Sequence, residues 1–91
     1  MEELELLRKQ IDEIDERLVE LFESRMELAT RIGAIKGEKG LDILNFKREE
    51  EVVKKNIMLL KNSELSQELE MFFKGIMDSS KRIQQNRLKE R

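Results

Sequence analysis

The sequence predicts an all-α fold of three helices, one of them very long, that pairs with a second copy as an intertwined two-fold homodimer. Three observations carry this. Proline is absent from the 91 residues, and three of the four glycines cluster at Gly33, Gly37 and Gly40. Apolar side chains then step by three and four through Leu4, Leu7, Ile11, Ile14, Leu18, Leu21, Leu28, Ile32 and Ile35, the period of a helix and not of a strand. Finally, the helices are unequal. A first helix of about 50 Å cannot be covered evenly by two of about 25 and 35 Å, so it should protrude and find a copy of itself.

The elements follow in order. Helix-forming residues run unbroken to Lys36, which predicts a first helix over about residues 3–36. Gly37 to Leu44 read as a loop, with Gly37 and Gly40 free to take tight or left-handed conformations. Asn45 is a good N-cap, and Glu49, Glu50 and Glu51 lie near the positive end of the helix it opens, predicted over 45–61. Asn62 or Ser63 caps a third helix over 64–86, whose apolar side carries Leu65, Leu69, Phe72, Phe73, Ile76, Met77 and Ile83. The tail from Asn86 to Arg91 is expected to fray. The whole of 1–91 reads as a single domain, with no room for a fused second enzyme.

Composition narrows function. Charged residues make up 42% of the chain against 38% hydrophobic, yet the net charge is only −2, which argues against a general nucleic-acid binder. Cysteine and histidine are both absent, so thiol chemistry is excluded and the commonest general base and metal ligand is missing. No cofactor or metal is implied. Met1-Glu2-Glu3 opens no signal-peptide apolar region, and no stretch approaches the ~20 apolar residues of a membrane span. A soluble, cytoplasmic protein is expected.

One residue breaks the apolar rhythm. Arg25 occupies a stripe position, and the residues three and four away are Leu21, Phe22, Leu28 and Ala29. A buried guanidinium needs an anion, and its own helix offers none. Other cations on this helix have acidic neighbours in helical reach: Arg17 has Glu13 and Glu20, and Arg31 has Glu27. Lys36 is like Arg25, with Ile32, Gly33, Lys39 and Gly40 around it. The two lie about three turns and roughly 16 Å apart on one side of the helix, close enough for long side chains to converge on a small dianion. Glu49, with Arg48 beside it, lies on the apolar line Val53-Ile57-Leu60 without a basic helical neighbour. Ser80 and Gln84 prolong the line Phe73-Met77.

Each feature alone has a plain structural reading: a register-setting Arg, a C-terminal Lys, a first-turn Glu, a solvated Ser/Gln edge. Together they bring two cations, one carboxylate and two neutral hydrogen-bonders to a common cavity, which suits a small oxygen-rich dianion with a hydroxyl.

From about Leu6 to Gln85 the chain resembles the all-helical class of chorismate mutases. The resemblance is carried by Leu7-Arg8-Lys9-Gln10-Ile11-Asp12, Arg25-Met26-Glu27-Leu28-Ala29, Ile35-Lys36, Asn45 through Glu50, and Asp78-Ser79-Ser80-Lys81-Arg82-Ile83-Gln84. It implies an interlocked dimer that rearranges chorismate to prephenate, toward phenylalanine and tyrosine. It also implies that Arg25, with Arg8 of the partner subunit, holds the two substrate carboxylates. Lys36 and Gln84 would bond the ether oxygen that breaks away. Glu49 would accept the ring hydroxyl, with the backbone of Asn45 nearby, and Ser80 and Arg48 would complete the polar shell. A pericyclic reaction needs no nucleophile, metal or proton transfer, so the missing His and Cys are no handicap. Related sequences usually carry aspartate where this chain has Asn45, and the loop before it lacks an expected proline. Two alternatives share the resemblance: an isochorismate pyruvate lyase, and a non-catalytic helical module that regulates or dimerises a shikimate-pathway enzyme.

Overall fold

A computed structural model describes residues 2–89; Met1, Glu90 and Arg91 lie outside the described residues. The chain is all-helical: α1 spans Glu2–Lys39, α2 spans Phe46–Ile57, and α3 spans Ser66–Lys89 after a single 3₁₀ turn at Ser63–Leu65. No strand occurs among the described residues. The molecule measures 55 × 27 × 14 Å, so its long dimension is that of α1 itself. None of the described helices is long and apolar enough to cross a membrane.

The ends of α1 are chemically marked. Glu2, Glu3 and Glu5 sit in the first turn and Lys36 and Lys39 in the last, each complementing the helix dipole. The helix passes through Gly37, where the sequence suggested a loop, and stops at Gly40. There φ is +66°, a conformation that glycine takes without a Cβ penalty. The Leu41 amide reaches back to the Lys36 carbonyl at 2.8 Å and the Gly40 amide to Gly37 at 3.4 Å, the paired bonds of a Schellman cap.

Asn45 caps α2 as expected, its side-chain oxygen accepting from the Arg48 amide at 3.1 Å. The helix ends at Ile57, short of the predicted Lys61. The amides of Leu59 and Leu60 bond three residues back, to Asn56 and Ile57, so the last turn tightens and closes early. Asn62 caps the 3₁₀ turn through the Glu64 amide at 3.1 Å, and α3 proper starts two residues later than predicted. At the other end α3 continues to Lys89, so residues 86–89 of the tail expected to fray are helical.

The main correction concerns the face of α1. The predicted stripe is not buried within the chain: Ile11 is 55% exposed, Ile14 57% and Leu21 65%. The buried residues of α1 are Met26, Ala29 and Gly33, each one position beyond Arg25, Leu28 and Ile32. Small side chains at Ala29 and Gly33 let α3 come close, and Met77 and Gln84 of α3 and Val52 of α2 are the other buried ones among the described residues. The surface pairs expected for Arg17 and Arg31 do not form within 4.0 Å; the ion pairs among the described residues are Arg48–Glu51, Lys81–Glu49 and Lys81–Asp78. Exposed pairs gain too little to be held in one geometry.

Candidate active site

The three helices meet around a cleft of about 280 Å³ beside the C-terminal half of α1. Arg25, Lys36, Asn45, Arg48, Glu49, Ser80 and Gln84 all line it. Arg8 does not. It is exposed on the first part of α1, about 25 Å along the helix from Arg25 at 1.5 Å per residue.

Arg25 is half-buried and donates from Nη1 to the Ser80 hydroxyl at 3.0 Å. Ser80 is oriented by donating in turn to the Ile76 carbonyl at 3.0 Å. No carboxylate among the described residues lies within 4.0 Å of the guanidinium, so the partner within the chain is a neutral oxygen and the charge is left uncompensated. Burial, and secondarily the neighbouring Arg48 cation, lower the Arg25 pKa from its ordinary value. Both causes describe a place short of negative charge, which a bound anion would supply.

Lys36 donates to the Ile43 carbonyl at 3.2 Å, tying the α1–α2 loop to the cleft. An ammonium has three N–H donors, so this bond leaves others for a ligand. Gln84 is a buried polar residue of the core, 7% exposed, and its amide nitrogen donates to the Ala29 carbonyl at 2.8 Å. That bond fixes the orientation of the amide and keeps its second N–H for a ligand. Asn45 and Arg48 sit at the exposed rim, where Arg48 approaches Glu51 at 3.8 Å.

Sequence reasoning missed Lys81. Its ammonium lies 3.4 Å from Glu49 Oε2 and 3.3 Å from Asp78 Oδ1, and it lines the same cleft. Partial burial pulls its pKa down, but the hydrogen bonds and charges of Asp78 and Glu49 together outweigh this and raise it. On its own helix Lys81 has the ordinary look of an i,i+3 surface pair with Asp78. The one signal pointing further was Glu49, which lacked a basic neighbour on α2.

A second, apolar groove of about 570 Å³ runs between α1 and α3, walled by Leu18, Phe22, Phe72, Phe73 and Ile76. Arg25 lines this groove as well as the polar cleft and so stands where the two meet.

The family model described as chorismate mutase type II matches residues 7–85. A bifunctional chorismate mutase/prephenate dehydratase of Aquifex aeolicus is 48% identical over 61 residues, covering 67% of this chain and 17% of that protein. A protein of Haemophilus influenzae named T-protein is 43% identical over 49 residues, covering 54% of this chain and 13% of its own length. The match thus spans less than a fifth of either curated relative. No solved structure matches the chain.

Proposed function

The chain belongs to the chorismate mutase type II family, and on that footing we propose that it rearranges chorismate to prephenate in the cleft lined by Arg25, Lys36, Glu49 and Gln84. The observation that carries the proposal is Arg25: a half-buried guanidinium bonded to a serine, with no carboxylate of the described residues in reach, facing a cleft that also holds Lys36 and Arg48. The site is suited to a dianion.

The chemistry follows from the side-chain inventory. In this [3,3] rearrangement a C–O bond breaks as a C–C bond forms, with no proton transferred and no covalent link to the protein. Arg25 and Arg48 are cations for a carboxylate, and Ser80 holds Arg25 in position. Fixing both carboxylates selects the compact conformer in which the reacting carbons approach. As the C–O bond stretches, the ether oxygen gains negative charge. Lys36 and Gln84 supply a cation and a neutral N–H for it, both already oriented by carbonyls of the protein. Glu49 accepts the hydrogen bond of the ring hydroxyl, and Asn45 closes the rim.

The working form is a homodimer in which Arg8 of the partner subunit completes each site. Support comes from the outward-facing stripe of α1 and from the apolar groove that ends at Arg25. Burying a large apolar side chain of this kind is worth about 1.5–3 kcal/mol, so leaving the stripe in water is costly. Sedimentation at micromolar concentration checks this: a stable, active monomer of 10.9 kDa would overturn it.

Incubation of the purified protein with chorismate, and separately with isochorismate, tests the reaction. Prephenate from chorismate supports the proposal. Pyruvate released from isochorismate, with chorismate untouched, would replace it with the lyase reading.

A further inference from the structure

Glu49 faces two ways. It lines the polar cleft, and it also lines a separate groove of about 310 Å³ on the outer side of α2 and α3, together with Lys54, Lys74 and Glu70. Arg48, the residue before it in the chain, approaches Glu51 at 3.8 Å. The cation in contact with Glu49 is on a different helix: Lys81 of α3, 3.4 Å from Oε2. Lys81 is itself anchored by Asp78, one turn earlier on α3 and 3.3 Å away. Asp78 is 57% exposed in its side chain and is not among the residues of the cleft.

We propose that Lys81 is a positioning residue for Glu49. Anchored on Asp78, it holds one carboxylate oxygen of Glu49 at the cleft wall, leaves the other oxygen for the substrate hydroxyl, and offsets the Glu49 charge that would otherwise repel a dianionic substrate. The inference rests on the proposed mutase reading and deepens it. Two physical needs support it. A hydrogen-bond acceptor is useful only if it is held where the hydroxyl will lie, and displacement by an ångström is costly to catalysis. A bare carboxylate beside two incoming negative charges would oppose binding, and a cation in direct contact removes most of that repulsion. The bridge joins α2 to α3, so it also fixes the width of the cleft at that wall.

The test is a double-mutant cycle on the full chain, with kcat and KM for chorismate measured for the unmodified protein, Lys81→Met, Lys81→Arg, Glu49→Gln, and Lys81→Met with Glu49→Gln. Lys81→Met should lower kcat/KM on the order of 10- to 100-fold. Lys81→Arg keeps the cation and should recover most of that loss, which a merely structural role for the lysine stem would not explain. In the Glu49→Gln background the same Lys81→Met change should cost less than about twofold, because there is no charge left to hold. Asp78→Asn is the milder second variant, expected to lose activity severalfold through the anchor should Lys81→Met fold poorly. A Lys81→Met protein within about twofold of the unmodified one, or an equal loss with and without Glu49, overturns the proposal. Failure of the unmodified protein to convert chorismate would instead sink the mutase reading itself.

Discussion

Gln84 occupies the space that Gly33 leaves empty. A Cβ built on Gly33 would come within 2.8 Å of Gln84 Cγ, closer than such atoms approach, and within 3.1 Å of its Cβ, tighter than most such contacts. The absent side chain lets α3 lie against α1, and it lets the Gln84 amide reach the Ala29 carbonyl at 2.8 Å. A packing detail and a proposed catalytic group are therefore the same contact.

Gly33→Ala should therefore cost activity as well as stability. Alanine favours the helix by roughly 1 kcal/mol, while overpacking costs about 1–3 kcal/mol, so the net loss of folding free energy lies between nothing and about 2 kcal/mol. The methyl group must be accommodated by moving Gln84 or α3, and kcat/KM should fall by at least about tenfold. Thermal unfolding followed beside chorismate turnover checks both; a fully active alanine variant would show that Gln84 need not be held so closely.

Arg25→Ala should abolish turnover and leave the helical fold. A charge-assisted hydrogen bond to a substrate carboxylate is worth roughly 1.5–3 kcal/mol, and more in a dry site. Stability should hold or rise, because a partly buried cation with only a neutral partner is removed. Circular dichroism and kcat/KM together decide it: retained activity would remove Arg25 from the site.

Complementation should reveal whether sites are shared. Arg8→Ala and Arg25→Ala chains, each inactive alone, should form mixed dimers in which one site carries both defects and the other carries neither. Up to about half the activity should return per mixed dimer, since a two-fold dimer builds each site twice. Verified mixed dimers without activity would mean that Arg8 does not act across the interface.

Gln84→Glu should confine activity to acidic pH. The Ala29 carbonyl can only accept a hydrogen bond, so a carboxyl at position 84 can replace the amide donor only while protonated. Ionised, it would repel the charge growing on the ether oxygen. The unmodified protein should be nearly flat around neutrality. Lys81 has a raised pKa in the fold, so its ion pairs contribute fully below the unfolded lysine value and are lost only as pH rises through the folded one, a strongly alkaline window. An unchanged pH–rate profile for Gln84→Glu would show that this residue does not touch the breaking bond.

Local chemistry along the chain was enough for the helices and most of the cleft. With no proline and an apolar period of three to four, nothing but helix was open to residues 4–36, and Asn45 and Asn62 announced the caps that form. Arg25 and Lys36 stood out because a charge on a packed face must be answered, and helical spacing shows which neighbours can answer it. Spacing ranks the faces of a helix but does not name what lies against each. Only packing decided that Met26, Ala29 and Gly33 meet α3 while Ile11, Ile14 and Leu21 stay outside. At Ala29 and Gly33 the cause is close approach, which small side chains permit and large ones refuse. Lys81 escaped notice for the same reason: its bond to Glu49 joins α3 to α2, and a contact between distant segments leaves no trace in the periodicity of either.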